Sequence, residues 1–101
     1  MELNFDIINK LGIEYNEAFY IVDTQTFTNN YIKLKQAFQK YYSKTNIAYS
    51  YKTNYIPRFC SIVDKLGGYA EVVSSMEFEL AKKIGVDYNK IYFNGICDIF
   101  T

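Results

Sequence analysis

The sequence contains no histidine and no tryptophan. Without histidine there is no imidazole general base, no Ser-His-Asp triad and no ordinary zinc site. One proline and five glycines leave no Pro/Gly-rich linker among 101 residues. Charge of one sign is missing too: eleven Lys plus Arg balance eleven Asp plus Glu. A net charge of zero gives no electrostatic footprint for nucleic acid or for an acidic membrane surface. Long hydrophobic runs are absent. Ala18-Phe19-Tyr20-Ile21-Val22 is five residues, far below the ~20 that span a bilayer. The start, Met1-Glu2-Leu3-Asn4-Phe5-Asp6, is acidic and lacks the basic-then-apolar order of a secretory signal. Two cysteines, Cys60 and Cys97, match no disulfide framework or metal spacing and read as reduced thiols of a cytoplasmic protein.

What is present is a folding composition. Half the chain is hydrophobic and 22% is charged, with eleven Tyr and eight Phe supplying bulky surface to bury. Ala18–Val22 is β-branched and aromatic and predicts a strand that stops at Asp23. Thr24 or Thr26 is placed to cap the next helix. In that helix Phe27, Tyr31, Leu34, Phe38 and Tyr41 recur at spacings of four, three, four and three, a single helical stripe.

A repeating pattern follows. Ile47-Ala48-Tyr49-Ser50-Tyr51 predicts a strand, and a helix begins near Pro57, a residue suited to the first helical position. Phe59, Ile62, Val63 and Leu66 give that helix a buried face, and Gly67-Gly68 close it. Tyr69–Val73 predicts the next strand, and Ser74-Ser75 leads into a helix. Its inner stripe is Met76, Leu80, Ala81 and Ile84, and Gly85 ends it. Lys90–Phe93 predicts a third strand that stops at Asn94-Gly95. Strand starts near 47, 69 and 90 repeat at about 21 to 22 residues. This is βαβαβ, and strands joined by crossover helices run parallel. In such sheets ligands bind at the carboxyl ends of the strands. Lys52, Ser74 and Asn94-Gly95 are therefore expected on one rim.

Lys52 is the first candidate for chemistry. A lysine at the end of an apolar strand is placed to project its amine over the rim, partly desolvated by Tyr49 and Tyr51. Desolvation lowers an ammonium pKa, and imine formation needs the neutral amine. Position alone leaves open an ordinary solvated lysine closing a strand. Glu71 is placed to influence Lys52 from the neighbouring strand, although a strand-end carboxylate is more often only solvated, and Asn54 is placed either to bind at the rim or simply to cap a helix. Ser74 is placed either to bind there or to cap its helix, and capping is the reading preferred.

Tyr49-Ser50-Tyr51-Lys52-Thr53-Asn54 resembles the cofactor-attachment segment of the ornithine/diaminopimelate/arginine decarboxylase family, the fold-type III pyridoxal-phosphate enzymes. Gly67 falls where that family closes the following helix. Gly68-Tyr69-Ala70-Glu71-Val72-Val73-Ser74-Ser75-Met76-Glu77 is similar to its second strand and turn, with Glu71 where Asp is usual. Ala81–Val86 and Lys90–Gly95 continue the register. Phe19-Tyr20-Ile21-Val22-Asp23 is similar to its leading strand. The resemblance runs in order from residue 12 to 95, is strongest toward the diaminopimelate decarboxylases, and stops after Gly95.

The resemblance implies a fold, a chemistry and a set of contacts. The fold is α/β: parallel βαβαβ units form the first part of a TIM-type (β/α)8 barrel, preceded by a strand and helix. Residues 1–25 become a lead-in segment with a strand of the family's β-domain, and residues 26–101 a partial cofactor-binding barrel of about three of eight strands. Lys52 is implied to form the internal aldimine with pyridoxal 5'-phosphate. Tyr49, Asn54, Glu71 and Ser74 are implied cofactor contacts, and no metal is expected. The substrate is a small amino acid, and the full-length parent is a homodimer with shared active sites. The family's stacking His and glycine-rich phosphate loop are not in this sequence. The expectation is thus an amino-terminal part of a decarboxylase, inactive in isolation. The alternative is a non-catalytic binding or assembly module that keeps the lysine rim.

Overall fold

A computed structural model of the chain describes residues 2–16 and 18–96. Four helices and three strands follow one another: α1 Phe5–Tyr15, α2 Thr24–Gln39, β1 Ala48–Ser50, α3 Pro57–Lys65, β2 Tyr69–Val72, α4 Ser75–Ile84 and β3 Ile91–Phe93, the last preceded by a 3-10 turn at Tyr88–Lys90. The strands form one parallel sheet in the order β1-β2-β3. Ser50 lies beside Glu71, and Glu71 beside Tyr92. The βαβαβ reading of residues 47 to 95 is therefore the observed topology, with each strand one or two residues shorter than expected.

Alternation along the strands sends neighbouring side chains to opposite faces. Tyr49 and Tyr51, Ala70 and Val72, and Ile91 and Phe93 turn to one side, where they join Cys60, Ala81 and Val86 in the core. Helices α3 and α4 cover that side. Ala48, Ser50, Tyr69, Glu71 and Tyr92 occupy the other face. Among the described residues no helix covers it, and Tyr69 and Tyr92 remain 39% and 61% exposed.

The helix ends follow their sequence signals. Pro57 opens α3. Gly85 ends α4 at φ +97°, a left-handed conformation that costs a residue with a Cβ about 1 kcal/mol or more. Gly68 serves a different need. A Cβ there would lie 2.5 Å from Val63 Cγ1 and 2.6 Å from the Tyr31 hydroxyl. The close contact lets the chain enter β2 beneath α2 and α3.

Four expectations are corrected. Ala18–Val22 forms no strand; residues 18–23 carry no regular structure, and Tyr20 is 98% exposed. A strand needs a partner for its backbone groups, and among the described residues none lies beside this segment. The cap of α2 is Asp23, with neither threonine in that role: Thr26 donates from its backbone N–H (3.0 Å) and from its hydroxyl (2.8 Å) to the carboxylate. One carboxylate accepts both bonds, which a threonine hydroxyl does less well. The α2 stripe is only half used. Tyr31 is buried and Phe27 stacks on Phe59 at 4.3 Å, but Leu34 and Phe38 are exposed and Tyr41 lies beyond the helix. The buried contacts of the stripe lie in the first half of α2, against Phe59 and Gly68. Met76 likewise turns outward, 54% exposed, while the buried residues of α4 are Glu77 and Ala81.

Helix α1 was not foreseen, although Phe5, Ile8, Leu11 and Tyr15 recur at helical spacing. Asn4 caps it by accepting from the Ile7 N–H at 2.9 Å. None of its residues is buried.

Candidate functional site

Strand β1 ends at Ser50, and the chain then turns. The Ser50 carbonyl accepts from the Thr53 N–H at 3.2 Å and from Asn54 at 3.5 Å. Lys52 sits at the crest of this turn with its side chain exposed. Because the sheet is parallel, the Lys52 turn, the Ser74 turn and Asn94 all follow carboxyl-terminal strand ends and share one edge. The rim expected from the sequence exists.

The partial desolvation expected at Lys52 does not. Tyr51 is 1% exposed and lies in the core beneath α3. Tyr49 packs edge-on against Phe27, with ring centres 5.7 Å apart, and against Tyr51 at 6.1 Å. Both rings occupy the helix-covered face, so neither shields the amine. Burial raises the pKa of both phenols, and the nearby Cys60 adds to the rise. The Cys60 thiol, also buried, is pushed up to about 11 by desolvation.

The remaining candidates separate by role. Glu71 is half-buried on the open face between Ser50 and Tyr92. Among the described residues no ion pair joins it to Lys52, and the ion pair present is Lys82–Glu79 at 3.7 Å. Asn54 is engaged locally: its Oδ1 accepts from the Ile56 N–H at 3.0 Å and shapes the approach to α3. Ser74 caps α4, as preferred above. Its hydroxyl accepts from the Glu77 N–H at 3.3 Å and donates to Glu77 Oε2 at 2.9 Å. The Glu77 carboxylate reaches back to accept from the Val73 N–H at 3.4 Å. This is a variant of the capping box in which the return bond goes to the residue before the cap.

Comparison with curated proteins finds similarity along most of the chain. A diaminopimelate decarboxylase of Methanocaldococcus jannaschii is 32% identical over 92 residues, which is 87% of this chain and 21% of that protein. Those of Aquifex aeolicus (32% over 71 residues) and Helicobacter pylori (33% over 87) match 69% and 81% of the chain. The chain is related to the diaminopimelate decarboxylases. It spans about one-fifth of the length of these relatives. No family profile matches it, and no solved structure matches it significantly.

Within this diaminopimelate decarboxylase-like stretch, Lys52 and Glu71 belong to the rim and the open face. Tyr49 is placed in the packing layer, and Asn54 and Ser74 hold turns. Two interactions went unremarked in the sequence. Glu77 had a readable signal, Ser74-x-x-Glu77, the spacing of a capping box. The Tyr51–Cys60 contact had none, since it joins a strand end to a helix through the core. Cys97 lies outside the described residues. Among the described residues no cluster of His, Cys, Asp and Glu is suited to a metal, and no helix is long and apolar enough to cross a membrane.

Proposed function

We propose that the chain is the amino-terminal part of a pyridoxal-phosphate-dependent amino-acid decarboxylase of the diaminopimelate type, with Lys52 holding the cofactor. The observation that carries the reading is the coincidence of two independent lines. The chain is related to these decarboxylases, and its lysine stands at the carboxyl end of a parallel strand, where such sheets place ligands.

The residues present fit one end of the cofactor. Lys52 offers an exposed amine, and Ser50 and Glu71 offer polar groups on the adjoining open face. The phosphate end has no glycine-rich cradle in this sequence. When bound, pyridoxal phosphate supplies the electron sink that lets an amino acid lose its α-carboxylate. This chain's part is attachment through the Lys52 amine and a carboxylate, Glu71, near the same rim.

The proposed barrel accounts for the uncovered surfaces. A complete one has eight βα units in roughly 250 residues, of which three strands are here. Its remaining strands cover the open face, and the family's β-domain pairs Ala18–Val22. The substrate is a small amino acid, diaminopimelate first among those to test, and the parent is a homodimer.

The test is spectroscopic. Mixing the chain with pyridoxal phosphate is expected to produce the visible absorbance of a lysine-bound cofactor, lost in Lys52→Ala. Absorbance that persists in that variant sinks the assignment of Lys52. Sequencing downstream of codon 101 tests the parent: no family-like continuation in any frame removes it.

A further inference from the structure

The register of the sheet lines up one row of side chains on the open face. Ser50 lies beside Glu71 and Glu71 beside Tyr92, so the three stand in line across the strands. Two strand spacings separate Ser50 from Tyr92, about 10 Å. The row belongs to the carboxyl end of the sheet. Ser50 is the last residue of β1, immediately before the Lys52 turn, and Tyr92 is followed in β3 by Phe93 alone. Ala48 and Tyr69 form the corresponding row at the amino end.

Tyr92 is exposed, while Ile91 and Phe93 on either side of it turn into the core. Among the described residues no ring stacks on it and no side chain bonds to its hydroxyl. Parallel strands are usually apolar on both faces, and ligands bind at their carboxyl ends. A bare phenol at that end contributes no packing within this chain. What it offers is a flat π surface, which favours offset stacking on another ring and attracts positive charge to its face. Glu71, the next residue in the row, adds a carboxylate to the same surface. A carboxylate beside an open aromatic face complements a planar heteroaromatic ring that carries positive charge, as a protonated pyridine does.

We propose that Tyr92 stacks on the pyridine ring of the cofactor, with the Glu71 carboxylate beside it as the counter-charge. The inference rests on the reading of Lys52 as the cofactor lysine and adds to it a contact two strands away. Tyr69 shares the face but lies at the far end of the strands, so it has the ring without the rim.

The experiment uses two probes. Pyridoxal phosphate, trapped with borohydride and mapped by peptide mass spectrometry, measures labelling of Lys52 relative to the other lysines. Pyridoxine phosphate has the same ring but no aldehyde, so it forms no bond to lysine. It is titrated into chain carrying isotope-labelled tyrosines, with the Tyr92 ring signal identified by its loss in Tyr92→Phe. A ring-current shift is expected at Tyr92 and not at Tyr69. Labelling of Lys52 is expected to fall roughly fivefold in Tyr92→Ala. It is expected to stay near the unmodified chain in Tyr92→Phe, which keeps the ring, and in Tyr69→Ala. Both tyrosines are exposed, so the far-ultraviolet circular dichroism of all three variants is expected to match the unmodified chain. A Tyr92 signal that does not move, or labelling unchanged in Tyr92→Ala, overturns the stacking role and leaves the proposed function standing. Equal effects at Tyr69 and Tyr92 also overturn it, because they would show an adhesive face with no preference for the rim. A fall in Tyr92→Phe as large as in Tyr92→Ala assigns the contact to the hydroxyl and overturns stacking. Absence of any preference for Lys52 in the unmodified chain sinks the proposed function, and the pyridoxine phosphate titration then decides alone whether Tyr92 holds the ring.

Discussion

Cys60 shows how burial changes the chemistry of one atom. Desolvation holds its thiol pKa near 11, above its ordinary value, so the nucleophilic thiolate is scarce at neutral pH. In a Cys97→Ser background, Cys60 is expected to resist a disulfide reagent at pH 8 until the chain is unfolded by denaturant. Rapid labelling of the folded chain would show that its burial is wrong. The pH dependence has a definite sign. In the unfolded chain the thiol ionises near 9, while in the folded chain it stays protonated to about 11. The folded state keeps its full stability below pH 9 and loses it progressively as pH rises from 9 toward 11. Tyr51, whose pKa is also raised by burial, pushes in the same direction at higher pH. Denaturant midpoints at pH 7, 9 and 10.5 check this, and Cys60→Ala is expected to flatten the lower part of the decline. Asp23 acts at the other end of the scale. The Thr26 backbone N–H and hydroxyl lower its carboxyl to about 2, so the cap of α2 persists in acid and is lost only as pH falls through that value.

At the scale of the element, the termini of α3 and α4 carry testable stability. Ser74 and Glu77 each satisfy a backbone N–H at the start of α4. Ser74→Ala and Glu77→Ala are each expected to cost about 1 kcal/mol, with less than additive loss in the double variant because the two share one box. Urea titration measures both. Gly68→Ala is expected to cost more than Gly85→Ala. At Gly85 the penalty is the left-handed backbone alone, about 1 kcal/mol, whereas at Gly68 the added methyl meets Val63 and the Tyr31 hydroxyl. An equal cost at the two sites would argue that α2 does not lie so close over β2. The same scale separates what was legible from what was not. The three strands and the helices after Pro57 and Ser74 were readable because each local signal, a β-branched run or a Gly stop, agreed with its surroundings. Ala18–Val22 failed because its composition reports an affinity for sheet, while pairing requires a neighbouring strand. The outer half of the α2 stripe failed for the same reason.

As a whole molecule the chain is spread out. Its radius of gyration is 16.7 Å, against about 13 Å for a compact domain of this length. Exposed apolar residues fall in groups: the α1 stripe, Phe19 to Ile21, the outer part of α2, and Tyr69 with Tyr92 on the open sheet face. Uncovered surface of this kind binds hydrophobic dyes and weakens cooperativity. The isolated chain is therefore expected to enhance the fluorescence of an apolar dye and to melt broadly. A sharp cooperative melt without dye binding would contradict the reading as one part of a larger barrel. No carbon dioxide release from diaminopimelate is expected from the chain alone, because a phosphate cradle is missing from its sequence.

The sequence by itself determined that this chain has no imidazole chemistry, that its strands and helices alternate in a parallel βαβαβ order, and that Lys52 follows the first of those strands. It also carried the kinship with decarboxylases, since order and spacing of motifs survive in a linear string. Only the tertiary structure decided which face each residue serves. Tyr49 and Tyr51 adjoin Lys52 in sequence, yet alternation and the packing of α3 bury them on the far side of the sheet from Ser50 and Glu71. Which face is buried depends on where the helices cross, and contacts between β1 and α3 are not written in either segment alone. The missing histidine was the first thing the sequence disclosed. The open sheet face, with Tyr69 and Tyr92 exposed on it, came into view only in the tertiary structure.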